Sequence, residues 1–318
     1  MATVRDRDAE HIVTRKWDDI RRAWLDYIPT HDSPWPVPEH EINELPSLQD
    51  ELETFPADHR RNVDSETREE EITGLRAAAL HEAVILIHKA ANVLRATAEE
   101  GSSGYRTWSR SSAYHSAFFA MRGVLGILGV FVVPSNDRKR DFQIDIWAPR
   151  RAKGSRSPGD SEFAVRIMPR RPVKHKELWS IFRRVLRVSQ VGPEIWPRAG
   201  NYILKKLDIT AFSAVRHRVH YRTTGWIYDD LDNLCRKDDL ENLAEEVLNL
   251  HYLGNPDHGS FPLSLALHIL SLGVALMSDI GKEVPKVQAE ADRTSQWMRN
   301  APWKCANVFK HVGSGNAE

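Results

Sequence analysis

From Ser65 onward the chain takes up a helical rhythm: Ile72, Leu75, Ala79, Ile85, Leu86 and Val93 recur at helix spacing, behind a capping serine and a run of glutamates. The segment from Glu100 to Gly104 breaks it. A second helix is predicted from about Tyr105 to Gly129, rich in small and aromatic residues, and so short a break makes the two an antiparallel pair. Gly123, Gly126 and Gly129 fall inside this apolar helix with no Lys-Ser/Thr behind them, which points to close helix packing rather than a phosphate loop. The apolar runs Val124–Val133 and Phe261–Met277 read as buried helices too short for a bilayer span.

The period then changes. Phe142 to Trp147 and Phe163 to Met168 both alternate at every second residue, which predicts a two-stranded hairpin joined by a long basic segment from Arg150 to Gly159. Helical spacing returns over His175–Val188, Tyr202–Arg222, Leu240–Leu250, Leu263–Asp279 and Val287–Arg299. Before all of this, a helix near Arg5–Ile28 puts Trp17, Trp24 and Ile28 on one face, ahead of a Pro-rich turn from Pro29 to Pro38. The fold class is therefore mainly α, a helical bundle with an inserted two-stranded β-hairpin. Residues 1–64 form an acidic, Trp- and Pro-containing arm or cap, 65–235 the bundle with its insertion at 138–170, and 236–318 C-terminal helices packed on it.

Composition adds little to the fold but constrains the chemistry. The 318 residues are 41% hydrophobic and 28% charged, with 44 basic and 44 acidic side chains, so no global field steers the protein towards a polyanion. The balance is uneven along the chain: residues 1–80 hold nineteen acidic against ten basic residues, and 138–187 hold fifteen basic against five acidic. Cys235 and Cys305 stand far apart outside any Cys/His cluster, and the first residues lack an apolar signal core; a cytoplasmic protein without metal, cofactor or membrane anchor is expected. There is no GxSxG, Walker or dinucleotide motif. His81 and His88, one heptad apart, read as polar flanks of an amphipathic helix.

The chemistry concentrates in Arg216, His217, Arg218, Val219, His220, Tyr221 and Arg222. Arginine is a permanent planar cation and histidine titrates near neutrality, a pairing that can bind and cleave a phosphodiester without metal. Arg216 and His220, at i and i+4, share a helix face. A second basic group, Arg150, Arg151, Lys153, Arg156, Arg170 and Arg171, belongs to the hairpin and suits a nucleic-acid backbone, with Trp147 and Trp179 as stacking partners. Docking of the protein's own acidic arm is the competing use of that surface.

Ser109 to Ala120, with Tyr114, Phe118 and Ala120 at the spacing Ser-x-Tyr-x-x-x-Phe-x-Ala, resembles a helix of HEPN-type bundle proteins, which are common in bacterial toxin and antiviral systems. The segment Arg216 to Tyr221 resembles their downstream Arg-His motif, and the two together cover about residues 66–235. This resemblance implies a dimeric, metal-independent endoribonuclease in which Arg216 holds the scissile phosphate. His220, beside His217, would assist attack by the ribose 2′-hydroxyl. The spacing from Arg216 to His220 is one residue shorter than the family's, whereas Arg110 and His115 satisfy it on the aromatic helix, with Tyr114 between them. The alternative is a catalytically inactive binding or assembly subunit that uses the basic hairpin and the N-terminal arm as contact surfaces. Partners expected on these readings are RNA, a second copy of the chain and a protein bound through the arm.

Overall fold

Helices dominate the architecture because the long periodic segments do form them. The computed structural model describes residues 15–28, 68–70, 74–102, 106–134, 141–149, 163–192, 195 and 261–299. Within these residues the helices are α1 (Trp17–Tyr27), α2 (Leu75–Ser102), α3 (Arg106–Ile127), α4 (His175–Ser189), α5 (Phe261–Gly281) and α6 (Pro285–Arg299). The strands are β1 (Arg68–Glu70), β2 (Val130–Pro134), β3 (Asp141–Pro149) and β4 (Phe163–Arg170). The expected helices over Tyr202–Arg222 and Leu240–Leu250 lie outside the described residues. The chain divides into two compact units, residues 1–82 with 128–190, and residues 83–127 with 191–318.

In the first unit the expected two-stranded hairpin is the centre of a four-stranded antiparallel sheet of order β1-β4-β3-β2. Two expectations change with it. Val130 to Val133 form a strand rather than the end of a helix, because Gly129 turns the chain at φ +85° and the β-branched residues behind it favour an extended backbone. The glutamate run Arg68–Glu70 is a short edge strand on β4, with Arg68 opposite Ile167 and Glu70 opposite Val165. The first long helix consequently starts at Leu75, after Gly74 at φ +88°, and not at Ser65.

β3 is the inner strand that the others frame. Its period-two pattern predicts one buried and one open face, yet Gln143, Ile144, Asp145, Ile146, Trp147 and Ala148 are all buried. Both faces are therefore covered, as in strands sandwiched between layers. Pairing with β4 runs from Asp141 opposite Arg170 to Asp145 opposite Arg166, then slips by a bulge before Ala148 opposite Ala164. At the bulge the Trp147 ring meets Trp24 of α1 edge-on at 4.8 Å, with Tyr27 at 6.1 Å and Phe163 at 6.0 Å. Trp17, Ile20, Ala23 and Trp24 are the buried stripe of α1, one face of the helix as its spacing predicts. Gly129 is required where it stands: a Cβ there would come within 2.6 Å of the Trp147 ring.

The second unit is a helix assembly in which α5 packs most extensively on α3 and also on α6. Small residues set its spacing. A Cβ on Gly123 of α3 would lie 2.8 Å from the Ile87 side chain of α2 and 2.9 Å from the Ala83 carbonyl oxygen. One on Gly273 of α5 would lie 2.4 Å from the same Ile87 methyl. Ile87 is thus a knob seated between two glycine holes, the close packing expected at Gly123. Leu75–Thr97 and Phe261–Gly281 are long and apolar enough to cross a bilayer by length and composition, the second exceeding the shorter apolar run read from the sequence. In α5 89% of that window is buried, so packing within the unit accounts for its apolarity.

Replacing Gly123 by Ala sets a helix-propensity gain of about 1 kcal/mol against an overpacking cost of about 1–3 kcal/mol. Because backbone stands at 2.9 Å and cannot yield as a side-chain tip can, the cost prevails. Urea unfolding should show Gly123→Ala less stable than wild type, with Ile87→Val in the same chain recovering part of the loss.

Candidate functional site

Among the described residues, the first unit holds a buried ion pair. Arg15 Nη2 donates to Asp145 Oδ1 at 2.5 Å, with the two side chains 8% and 5% exposed. The Trp147 backbone N–H donates to the same carboxylate oxygen at 3.1 Å. Burial pushes the Asp145 carboxyl up; Arg15, the Trp147 N–H and Arg166 pull it back. Burial likewise lowers Arg15, against the pull of Asp145. Arg76 completes the polar framework: its guanidinium donates to the carbonyls of Ile146 at 3.2 Å and Phe163 at 3.3 Å and lies 4.8 Å over the Trp147 ring.

A cavity of about 10 Å³ lies beside the pair, lined by Arg15, Asp145 and Ser189 among Ile20, Leu128, Val130, Val185 and Val188. That is room for about one water molecule, not for a substrate. The sequence reading missed this pair. Its signal was an aspartate between two isoleucines in a strand pattern, a position whose exposure could not be known before the second face of the strand was covered.

Neutralising Asp145 would leave a buried guanidinium unpaired, at a cost of about 3–5 kcal/mol, whereas replacing both charges with apolar groups of similar volume removes that penalty. Chemical denaturation should therefore rank Asp145→Leu as less stable than the double variant Arg15→Met/Asp145→Leu.

The aromatic helix α3 does not gather its candidate residues into one cleft. Tyr114 is 2% exposed and stacks on Phe118 at 6.4 Å, so its hydroxyl belongs to the helix packing and not to an open surface. Arg110 and His115, five residues apart, are turned about 140° from one another around the helix axis. They are the right residues at the right spacing on divergent faces. The serines of this helix are interhelical ties: Ser116 Oγ donates to the Ala90 carbonyl at 2.8 Å and Ser109 Oγ to the Thr97 carbonyl at 2.9 Å, both on α2.

Of the basic hairpin residues, Arg170 is engaged across the sheet, donating through Nε and Nη2 to Gln143 Oε1 at 3.1 and 2.8 Å. Arg171 is exposed. Arg150, Arg151, Lys153 and Arg156 lie outside the described residues, and so do Arg216, His217 and His220. Among the described residues no three His, Cys, Asp or Glu side chains cluster as a metal site would. Comparison with known protein families, curated proteins and solved structures finds no match.

A basic surface that the sequence reading counted but did not resolve into a face is α4. Its helical phase was the signal: Lys176, Arg183 and Arg187 recur at i, i+7 and i+11.

His81, expected as a polar flank, is buried instead, and His88 is half-buried. His81 is 5% exposed, and burial carries it from the ordinary imidazole value to about 4. Burial takes His88 to about 4 as well; its Nε2 lies 3.2 Å from Glu290 Oε2 and its ring 5.1 Å from that of Trp297. Glu290 is raised by burial, with Arg293 at 3.6 Å offsetting part of this.

Both imidazoles are neutral in the folded protein at pH 7, while the unfolded chain takes up their protons near pH 6.5. Their contribution is therefore complete above pH 6.5 and is lost as pH falls towards 4, about 3 kcal/mol each at most; the raised Glu290 carboxyl opposes this in the acid range. Urea midpoints measured from pH 7 to pH 4.5 should decrease, and the decrease should be shallower in His81→Gln and His88→Gln.

Proposed function

We propose that this protein acts on RNA as a HEPN-like, metal-independent endoribonuclease of a toxin-like or antiviral system. Arg216 holds the scissile phosphate. His220, with His217 beside it, assists attack of the ribose 2′-hydroxyl on that phosphate, and the leaving 5′-oxygen takes up a proton. Two copies of the chain each contribute such a pair to a composite cleft. The observation that carries this reading is the order of the two motifs: the Ser109–Ala120 helix first, then Arg216 to Tyr221. Supporting it, the Ser109–Ala120 segment lies on a helix tied to its neighbour by Ser109 and Ser116. Arg110 and His115 stay secondary candidates at the family's spacing, and Tyr114 between them is packed in the core.

A second reading, a catalytically inactive binding or assembly subunit, is favoured by the short Arg216-to-His220 spacing and by the fact that packing alone accounts for much of the aromatic helix. Cleavage of a labelled single-stranded RNA in excess EDTA separates the two. The enzyme reading expects cleavage that Arg216→Ala and His220→Ala each reduce by about 10²-fold or more, with unchanged circular dichroism. No cleavage leaves the binding subunit, and cleavage that ignores both substitutions overturns the assignment of Arg216 and His220.

A further inference from the structure

α4 is strongly amphipathic, and its two faces can be assigned residue by residue. Leu178, Trp179, Phe182, Val185, Leu186 and Ser189 are buried and occupy about 120° of the helix circumference. The remaining arc could hold the helix cations in any order. Instead Lys176, Arg183, Arg184 and Arg187 lie within about 100° of one another, around Ser180, while the rest of the open arc holds Glu177, Ile181 and Val188. Lys176 and Arg187 are exposed, as are Arg171 and Lys174 just before the helix; Arg183 and Arg184 are half-buried and add charge to the same stripe. Over residues 171–192 six basic side chains stand against one acid. That acid, Glu177, accepts a hydrogen bond from the Lys174 backbone N–H at 3.0 Å and so closes the helix start.

We propose that this stripe is a binding surface for the phosphate backbone of RNA. A solvated helix face needs charge but not a single sign confined to one phase, and one sign along one line is what a polyanion matches. From Lys176 to Arg187 the stripe runs about 16 Å at 1.5 Å per residue, long enough to meet successive phosphates of one strand. The cations project from a helix whose opposite face is locked by Trp179 and Phe182, so their spacing is held by secondary structure rather than by a loop. The contact reads phosphate and not base, and it is sequence-independent. The inference rests on the RNA-acting reading for its ligand class, but not for cleavage: the stripe binds whether or not Arg216 and His220 are catalytic.

The test is fluorescence anisotropy of a labelled single-stranded RNA of about 20 nucleotides, 2′-O-methylated so that attack by a 2′-hydroxyl cannot destroy it, titrated with the full chain between 50 and 300 mM NaCl. Wild type should bind with a steep salt dependence. Lys176→Gln/Arg187→Gln should weaken binding about tenfold, equally for poly(U) and poly(A), and flatten the log–log salt slope by about 1.4, or 0.7 per phosphate contact removed. Both side chains are exposed, so the thermal midpoint should not move. Wild-type affinity and slope in the double variant would overturn the proposal, and so would a wild type that binds anionic phosphatidylserine vesicles but no RNA. Arg216→Ala is run alongside: loss of cleavage with binding retained supports both readings, and binding that needs Lys176 and Arg187 in a chain that never cleaves supports the stripe alone.

Discussion

A carboxylate buried inside a β-strand is tolerable only when something cancels its charge, and in the first unit that condition organises much of what surrounds it. Asp145 lies in the middle of β3, with both faces of the strand covered. Desolvation alone would cost it several kcal/mol, so the chain must bring a cation and hydrogen-bond donors to it. Arg15, just ahead of α1, supplies the cation, and the Trp147 N–H at the bulge supplies a donor. The same bulge sets Trp147 against Trp24, and Gly129 leaves the room that ring needs. One ion pair, one bulge and one glycine thus place α1, β2 and β3 together.

The second unit answers to a different constraint, the distance at which helices can approach. Ile87 fits between Gly123 and Gly273, and Ser109 and Ser116 hydrogen-bond to carbonyls of α2. These contacts bear on the functional argument. The aromatic and small residues of α3 that resemble a ribonuclease family's helix are also the residues a close-packed helix pair needs, so the resemblance and the packing draw on one set of side chains. The chemistry of the proposed activity therefore rests on Arg216 and His220, while α3 serves as scaffold.

How far the sequence could be read follows from what each signal depends on. The buried stripe of α1, the helix His175–Val188 and the two central strands were legible, because periodicity reports which face of an element meets a core. Val130 to Val133 were misread as helix because a short apolar run has no period of its own, and only Gly129 at positive φ reveals the turn before it. His81 and His88 were misread as flanks because a histidine's tolerance for burial depends on neighbours from other elements, here Glu290 and Trp297 for His88. The cations of α4 were visible as a surplus; seeing them as a stripe required knowing which arc of the helix is buried.

Local chemistry was enough to specify a mainly helical chain, its central antiparallel strands, and side chains able to bind phosphate. Those properties depend on residue type and spacing along the chain, both of which are short-range. Tertiary structure alone decided that Asp145 is buried and answered by Arg15, 130 positions away, and that Arg170 is engaged with Gln143 across the sheet. Each of these turns on which partner arrives from elsewhere in the chain. Burial changes the energy of a charge by several kcal/mol, and burial is a property of the packed molecule, not of the residue.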